Sequence, residues 1–212
     1  GRSDLPPVPY AHRIDVAALL ATLQIQSAVI LGASYGGKIA TQIALEFPGL
    51  VRGLILINSQ IGSTEVSVEL QSGWDRVEAA ERAGDIDLAV EIELQMWVDG
   101  PHRSAADVDP AVRDQVRRMN GALFARQGEQ EQAPEIVFDP PVAERLAELC
   151  IPILAISGDL DFDDIRMSVE SLVQVLPATI VRPVKGAAHL PNLEQPDKIN
   201  ELILEFLNSI QN

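Results

Sequence analysis

The chain has 212 residues, enough for one domain with a large core, or a core plus an insertion. It is 47% hydrophobic and 22% charged, an ordinary globular composition, with aromatics scarce at 4%. Sixteen Lys and Arg against 31 Asp and Glu leave a net charge of −15, which argues against nucleic acid and anionic membrane surfaces as partners. A single cysteine, Cys150, excludes an internal disulfide. It stands just before an apolar strand pattern and is expected as a buried structural thiol. No apolar run approaches a membrane span and no signal-peptide pattern opens the chain, so a cytoplasmic protein is expected.

Residues 1–9 read as loop, with Pro6, Pro7 and Pro9. Val16, Leu19, Leu20 and Leu23 then recur at i, i+3, i+4 and i+7, the pattern of an amphipathic helix. An apolar run over 28–31 follows and ends in a glycine-rich corner. Beyond the corner Ile39, Ala40, Ile43, Ala44 and Phe47 share a helix face until Pro48-Gly49 stops it. Residues 51–57 read as a second buried strand. Strand, helix, strand at this spacing implies a parallel sheet with crossover helices.

From about residue 63 the pattern changes. Residues 64–83, 86–98, 110–127 and 141–149 read as helices with no strand between them. Gly84 is expected to end one helix and Asp85 to cap the next, while Asp109-Pro110 and Asp139-Pro140-Pro141 are start signals. Ten acids and two arginines lie between Glu65 and Asp99, the charge of a solvated outer face. Strand patterns return at 151–157 and 179–184. They are separated by a helix carrying Ile165, Val169, Leu172, Val173 and Leu176, and followed by one carrying Ile199, Leu202, Ile203, Phe206, Leu207 and Ile210. The expected division is a core part over 1–62, a helical insertion over 63–149 and a second core part over 150–212.

The corner Gly32-Ala33-Ser34-Tyr35-Gly36 matches G-x-S-x-G, a serine on a strained strand-to-helix turn with its hydroxyl exposed. The glycines let strand and helix approach closely. The Tyr35 backbone N–H would face a substrate oxygen from the helix start. The same stretch, from Gly32 to Gly37-Lys38, also matches the opening of a phosphate-binding loop. That motif wants Ser or Thr next, and the chain has Ile39. A glycine-rich turn without chemistry is the third reading.

The rest of the chain weighs on this choice. In a parallel sheet, sites form at the carboxyl ends of the strands. One strand ends at Ser34, the third runs into Gly158-Asp159-Leu160-Asp161, and the fourth into Lys185-Gly186-Ala187-Ala188-His189. Ser34 is a weak nucleophile that needs a base. His189 can take its proton, and an aspartate can orient the imidazole. Asp161 is the preferred acid: Asp159 sits nearer the strand end, and Asp163 and Asp164 fit better as the cap of the next helix. His12 and His102 have no such placement and are expected at the surface.

These three motifs, with Leu190-Pro191-Asn192-Leu193-Glu194-Gln195-Pro196 after the histidine, resemble the α/β-hydrolase superfamily, in particular its enol-lactonases, carboxylesterases and C–C bond hydrolases. The resemblance covers core segments at 10–60 and 150–212 with a helical lid between. It implies an α/β-hydrolase fold, a mostly parallel sheet with flanking helices and a helical lid insertion. It also implies a serine hydrolase acting on a small ester or lactone through Ser34, Asp161 and His189, with the Tyr35 N–H in the oxyanion hole. No cofactor or metal is implied. The same triad serves C–C bond hydrolases, and a non-catalytic ligand-binding module on this fold is the remaining alternative. Within the lid, Trp97 and Met96 are the candidate substrate-binding residues, with Trp74 and Phe124 behind them. The family usually opens with further strands and a His-Gly loop that supplies a second oxyanion donor. By analogy this chain lacks them, which implies an exposed sheet edge, low stability and weak activity.

Overall fold

The computed structural model describes residues 6–61, 66–127 and 133–210. The loop reading of residues 1–5 and the insertion boundary at 62–63 lie outside them.

Among the described residues, four parallel strands form the sheet: β1 (Ala28–Ala33), β2 (Val51–Ile57), β3 (Ile153–Gly158) and β4 (Ile180–Val184), in the order β1-β2-β3-β4. Leu31 pairs with Ile55, Leu56 with Ala155 and Ile156 with Arg182, a register that brings all four carboxyl ends to one rim. Each strand is reached by a helical crossover. α1 (His12–Thr22) precedes β1, α2 (Tyr35–Glu46) links β1 to β2, α7 (Asp163–Val175) links β3 to β4, and α9 (Pro196–Ser209) closes the chain. The short α6 (Val142–Arg145) leads into β3, and the single turn α8 (Pro191–Glu194) precedes α9.

Parallel strands buried on both faces need apolar residues at both parities, and β2 supplies them. Leu54 and Leu56 join Ile43 and Ala44 of α2 and Leu172 of α7 in one core layer. Ile55 and Ile57 join Ile156, Val184 and Ile199, Leu202 and Phe206 of α9 in the other. Burying each such Leu or Ile contributes about 2 kcal/mol.

Between β2 and β3 lie α3 (Val68–Arg82), α4 (Ile86–Leu94), a π-helical turn Gln95–Asp99, and α5 (Pro110–Gln127). They share a core of their own, with Leu70, Leu94, Val98, Val116 and Phe124, to which Phe162 from the rim of the sheet is added. The start signals at Asp85 and Asp109 and the stop at Gly84 hold, whereas α6 starts after Pro141 with no side-chain cap from Asp139. The N–H of Leu88 donates to Asp85 Oδ1 at 3.0 Å, that of Ala111 to Asp109 Oδ1 at 2.8 Å, and Gly84 carries a φ of 73° past the end of α3.

Several local expectations are corrected. Cys150 is exposed, because Leu149 and Ile151 take the inward positions around it. α1 buries Arg13 rather than an apolar stripe, and Leu19 and Leu23 are exposed. The Arg13 guanidinium pairs with Glu46 and lies 5.2 Å from the Phe138 ring. Asp163 and Asp164 do not cap α7, and Asp164 is buried with its Oδ1 accepting the Ser67 N–H at 2.7 Å, which fixes the start of α3.

Candidate active site

Ser34 sits between β1 and α2 with φ 51° and ψ −121°, a left-handed backbone that a side chain adopts only at a cost. Its N–H donates to the Ile57 carbonyl at 2.8 Å, and its own carbonyl accepts the Gly37 N–H at 3.0 Å. Gly32 and Gly37 make the corner possible. A Cβ on Gly32 would stand 2.2 Å from the Gly36 carbonyl oxygen, and one on Gly37 would stand 1.9 Å from Ser59 Oγ. Gly36, the second glycine of the sequence motif, has open space around it. Tyr35 opens α2, so its N–H is among those a helix leaves unused.

The other two strand ends are laced together. Asp159 Oδ1 accepts the Gly186 N–H at 2.6 Å, and the Leu160 N–H donates to the Ala187 carbonyl at 3.0 Å. Gly158 packs so closely that a Cβ there would lie 2.1 Å from the Ala188 carbonyl oxygen. Asp159 is therefore spent on the loops. Asp161 is free to face the histidine: its Oδ2 lies 2.6 Å from His189 Nδ1, while its Oδ1 accepts the Phe162 N–H at 2.8 Å. Both side chains are buried. With Nδ1 engaged, Nε2 is the ring nitrogen that remains for proton transfer.

Ser34 and His189 line one cavity of about 750 Å³. Its walls are mostly apolar, with Ile61, Trp74, Trp97, Phe138 and Val142 among them, and Lys38, Gln42 and Glu135 as polar points. The Trp97 ring centroid is 4.4 Å from that of His189, tilted by 44°. Met96, the other candidate from the same stretch, points the opposite way. It is buried in the core of the helical segment, where a Cβ on Gly73 would stand 2.5 Å from its Cε. Phe124 belongs to that core as well, whereas Trp74 faces the cavity. The Tyr35 phenol donates to Glu135, and burial together with that carboxylate pushes its pKa up to about 12. His12, expected at the surface, is half-buried, with its ring edge-on to Tyr10 at 5.0 Å and to Tyr35 at 6.1 Å. His102 is exposed. Among the described residues no three of His, Cys, Asp and Glu are grouped to hold a metal ion.

The profile of the Alpha/beta hydrolase family matches residues 1–202. The chain belongs to that family. It is an enzyme of α/β-hydrolase type, and membership removes the phosphate-loop reading of the Gly32–Lys38 turn. It is similar to the pimeloyl-[acyl-carrier protein] methyl ester esterase of Yersinia enterocolitica, 26% identical, over 91% of this chain and 74% of the relative. It is equally similar, at 26% over 92% of this chain and 71% of the relative, to a Bacillus subtilis protein provisionally assigned as 2-succinyl-6-hydroxy-2,4-cyclohexadiene-1-carboxylate synthase. Among solved structures it resembles Est816, an N-acyl homoserine lactone degrading enzyme, with a TM-score of 0.70 and 26% identity over 97% of this chain and 78% of that one.

Two further residues of this α/β-hydrolase hold the site together. Asn58 follows β2 with φ 44° and is 1% exposed. Its Nδ2 donates to the Ala188 carbonyl and its Oδ1 accepts the Gly158 N–H, both at 2.9 Å, so one amide joins three strand ends. An Asn just past a buried strand, a residue that tolerates positive φ, was the available signal. Arg103 ties the π-helical turn to the histidine loop, donating to the carbonyls of Val98 at 2.7 Å, Asp99 at 2.8 Å and Gly186 at 3.1 Å, and pairing with Glu194. Nothing near it in sequence signals that role.

Proposed function

We propose that this hydrolase cleaves a small carboxylic ester or lactone through an acyl-enzyme on Ser34, beneath a helical lid over residues 63–149. His189 Nε2 takes the Ser34 hydroxyl proton as the oxygen attacks the carbonyl, then returns it to the departing alcohol. Asp161 fixes the tautomer that makes this possible and stabilises the imidazolium. The Tyr35 N–H receives the developing oxyanion, a contribution of about a hundredfold or more in rate. Water activated by His189 then frees the acid, and the cycle uses no cofactor.

The observation that carries this reading is the 2.6 Å contact between buried Asp161 and His189, on a ring that shares its cavity with a serine in strained backbone. The esterase and lactone-degrading relatives agree with the choice of substrate class. The test is covalent labelling with a fluorophosphonate probe. The parent chain should label, and Ser34→Ala and His189→Ala should each abolish it. Labelling that persists in Ser34→Ala, or a folded parent that never labels, would overturn the mechanism.

A further inference from the structure

We propose that Gln42 is a specificity-determining residue of this site. The substrate it selects is an ester or lactone whose chain carries a neutral hydrogen-bond donor, a hydroxyl or an amide N–H, about two helical turns from the carbonyl that Ser34 attacks. The inference rests on the hydrolase reading above for the position of that carbonyl.

Ser34, Lys38 and Gln42 follow one another at four-residue intervals along α2, and all three line the cavity. At 1.5 Å per residue, Gln42 lies about 12 Å further along the helix axis than Ser34. The cavity therefore runs along one flank of α2, with the reacting serine at its start. Lys38 is exposed, whereas Gln42 is 4% exposed and its Oε1 is buried without a hydrogen-bond partner. Ile61, Phe138 and Val142 line the same cavity as apolar walls, and Gln60 and Lys38 also line it but make no hydrogen bond to the Gln42 oxygen.

An amide oxygen kept out of water with no partner is costly, and native interiors seldom keep one without a use. The terminal torsion of glutamine is broad, so the amide can turn its oxygen toward a donor that enters the cavity. A charged group is the wrong occupant, because a single amide does not offset the desolvation of a buried ion. A plain alkyl chain would leave the oxygen orphaned. A hydroxyl or amide N–H satisfies it. This is the usual economy of a ligand site, apolar walls with a few placed polar groups that set orientation.

The experiment is calorimetric titration of the Ser34→Ala protein with two series of straight-chain methyl ketones of increasing length, one ending in a hydroxyl and the other in a methyl. At one chain length the hydroxyl ketone should bind at least about tenfold more tightly than its methyl counterpart, as expected where a buried acceptor is otherwise left unpaired. Adding Gln42→Met should reverse that order, tightening the methyl ketone and weakening the hydroxyl one. Adding Gln42→Asn, which keeps the amide but withdraws it by one methylene, should move the preferred hydroxyl ketone to a longer chain. No preference in the Ser34→Ala protein, or the same preference after Gln42→Met with no length change in Gln42→Asn, would overturn the proposal and leave an amide served by water. Titration needs no turnover, so its failure is read separately from failure of Ser34 to label.

Discussion

The imidazole of His189 is held on two sides, by the Asp161 carboxylate at its edge and by the Trp97 ring against its face. Glu93 of α4, one turn before Trp97, is partly buried beside this pair. Burial, joined by repulsion from Glu81, raises the Glu93 pKa, and this outweighs the opposing help from Trp97 and the field of His189. A raised carboxylate pKa means that the folded state binds the proton more tightly than the unfolded chain. Stability from this group is then full below the ordinary glutamate range and falls as pH rises from that range through the folded pKa. Gln keeps the size and shape of the side chain and cannot ionise. Glu93→Gln is therefore expected to melt with the parent at pH 4 and above it at pH 7, the gap opening between those values. A thermal-melt series across that window checks the sign, and a variant less stable at pH 7 would refute it. Ser34 and His189 were legible as groups at strand ends, whereas the choice of Asp161 over Asp159 leaned on the family resemblance as well as on order. Met96 and Trp97 were not separable from sequence. They are neighbours on one turn, and only packing decides which of them meets the cavity and which meets Gly73.

At the scale of elements, the π-helical turn Gln95–Asp99 is the junction between the helical segment and the sheet. The sequence reads as unbroken helix to residue 98, since an extra residue in a turn leaves the apolar pattern almost intact. Such turns are frequent at functional sites, and this one carries Trp97. Gly100 follows with φ 75°, and a Cβ there would stand 2.5 Å from the Leu160 carbonyl oxygen, so the junction presses directly on the loop that bears Asp161. Arg113 of α5 braces the turn through two bonds to Asp99, at 2.7 and 2.9 Å, and pairs with Glu91. Burial works against ionisation of Glu91, but hydrogen bonds from Arg113 and Arg117 hold its pKa below the usual value. Arg103 closes the arrangement, and its partner Glu194 also accepts the Ala188 N–H at 2.8 Å beside His189. Removing Arg103 leaves a buried carboxylate and three carbonyls without their donor. Arg103→Ala should cost about 3 kcal/mol or more in denaturant unfolding. It should also slow fluorophosphonate labelling about ten- to a hundredfold under folding conditions, because His189 and Trp97 lose a shared support. Arg103→Lys should recover only part of either, since a point charge cannot serve a forked set of acceptors. Labelling at the parent rate in a destabilised Arg103→Ala would assign Arg103 to stability alone.

For the whole molecule, the parallel sheet and its crossovers were legible because apolar runs and glycine corners are local signals. The helical segment was legible from its caps. Long-range ties were not: Arg103 meets Glu194, Asn58 meets Ala188, and Asp164 meets Ser67, and no periodicity announces such pairs. Among the described residues β1 pairs with β2 alone, and Leu31 on it is 45% exposed. Nearby in the chain, Leu19, Leu23 and Ile25 are also exposed. An apolar edge strand with free backbone groups is a template for pairing with another chain. The net charge of −15 opposes that pairing between copies, and salt screens the repulsion. Self-association should therefore rise with ionic strength, opposite to an assembly held by ion pairs. A charge placed on the edge blocks it directly. Leu31→Lys should lower light scattering at high salt, while unfolding stability stays within about 0.5 kcal/mol of the parent, as for an exposed position that fills no core. Scattering unchanged by both salt and the lysine would show that the β1 edge does not pair between copies.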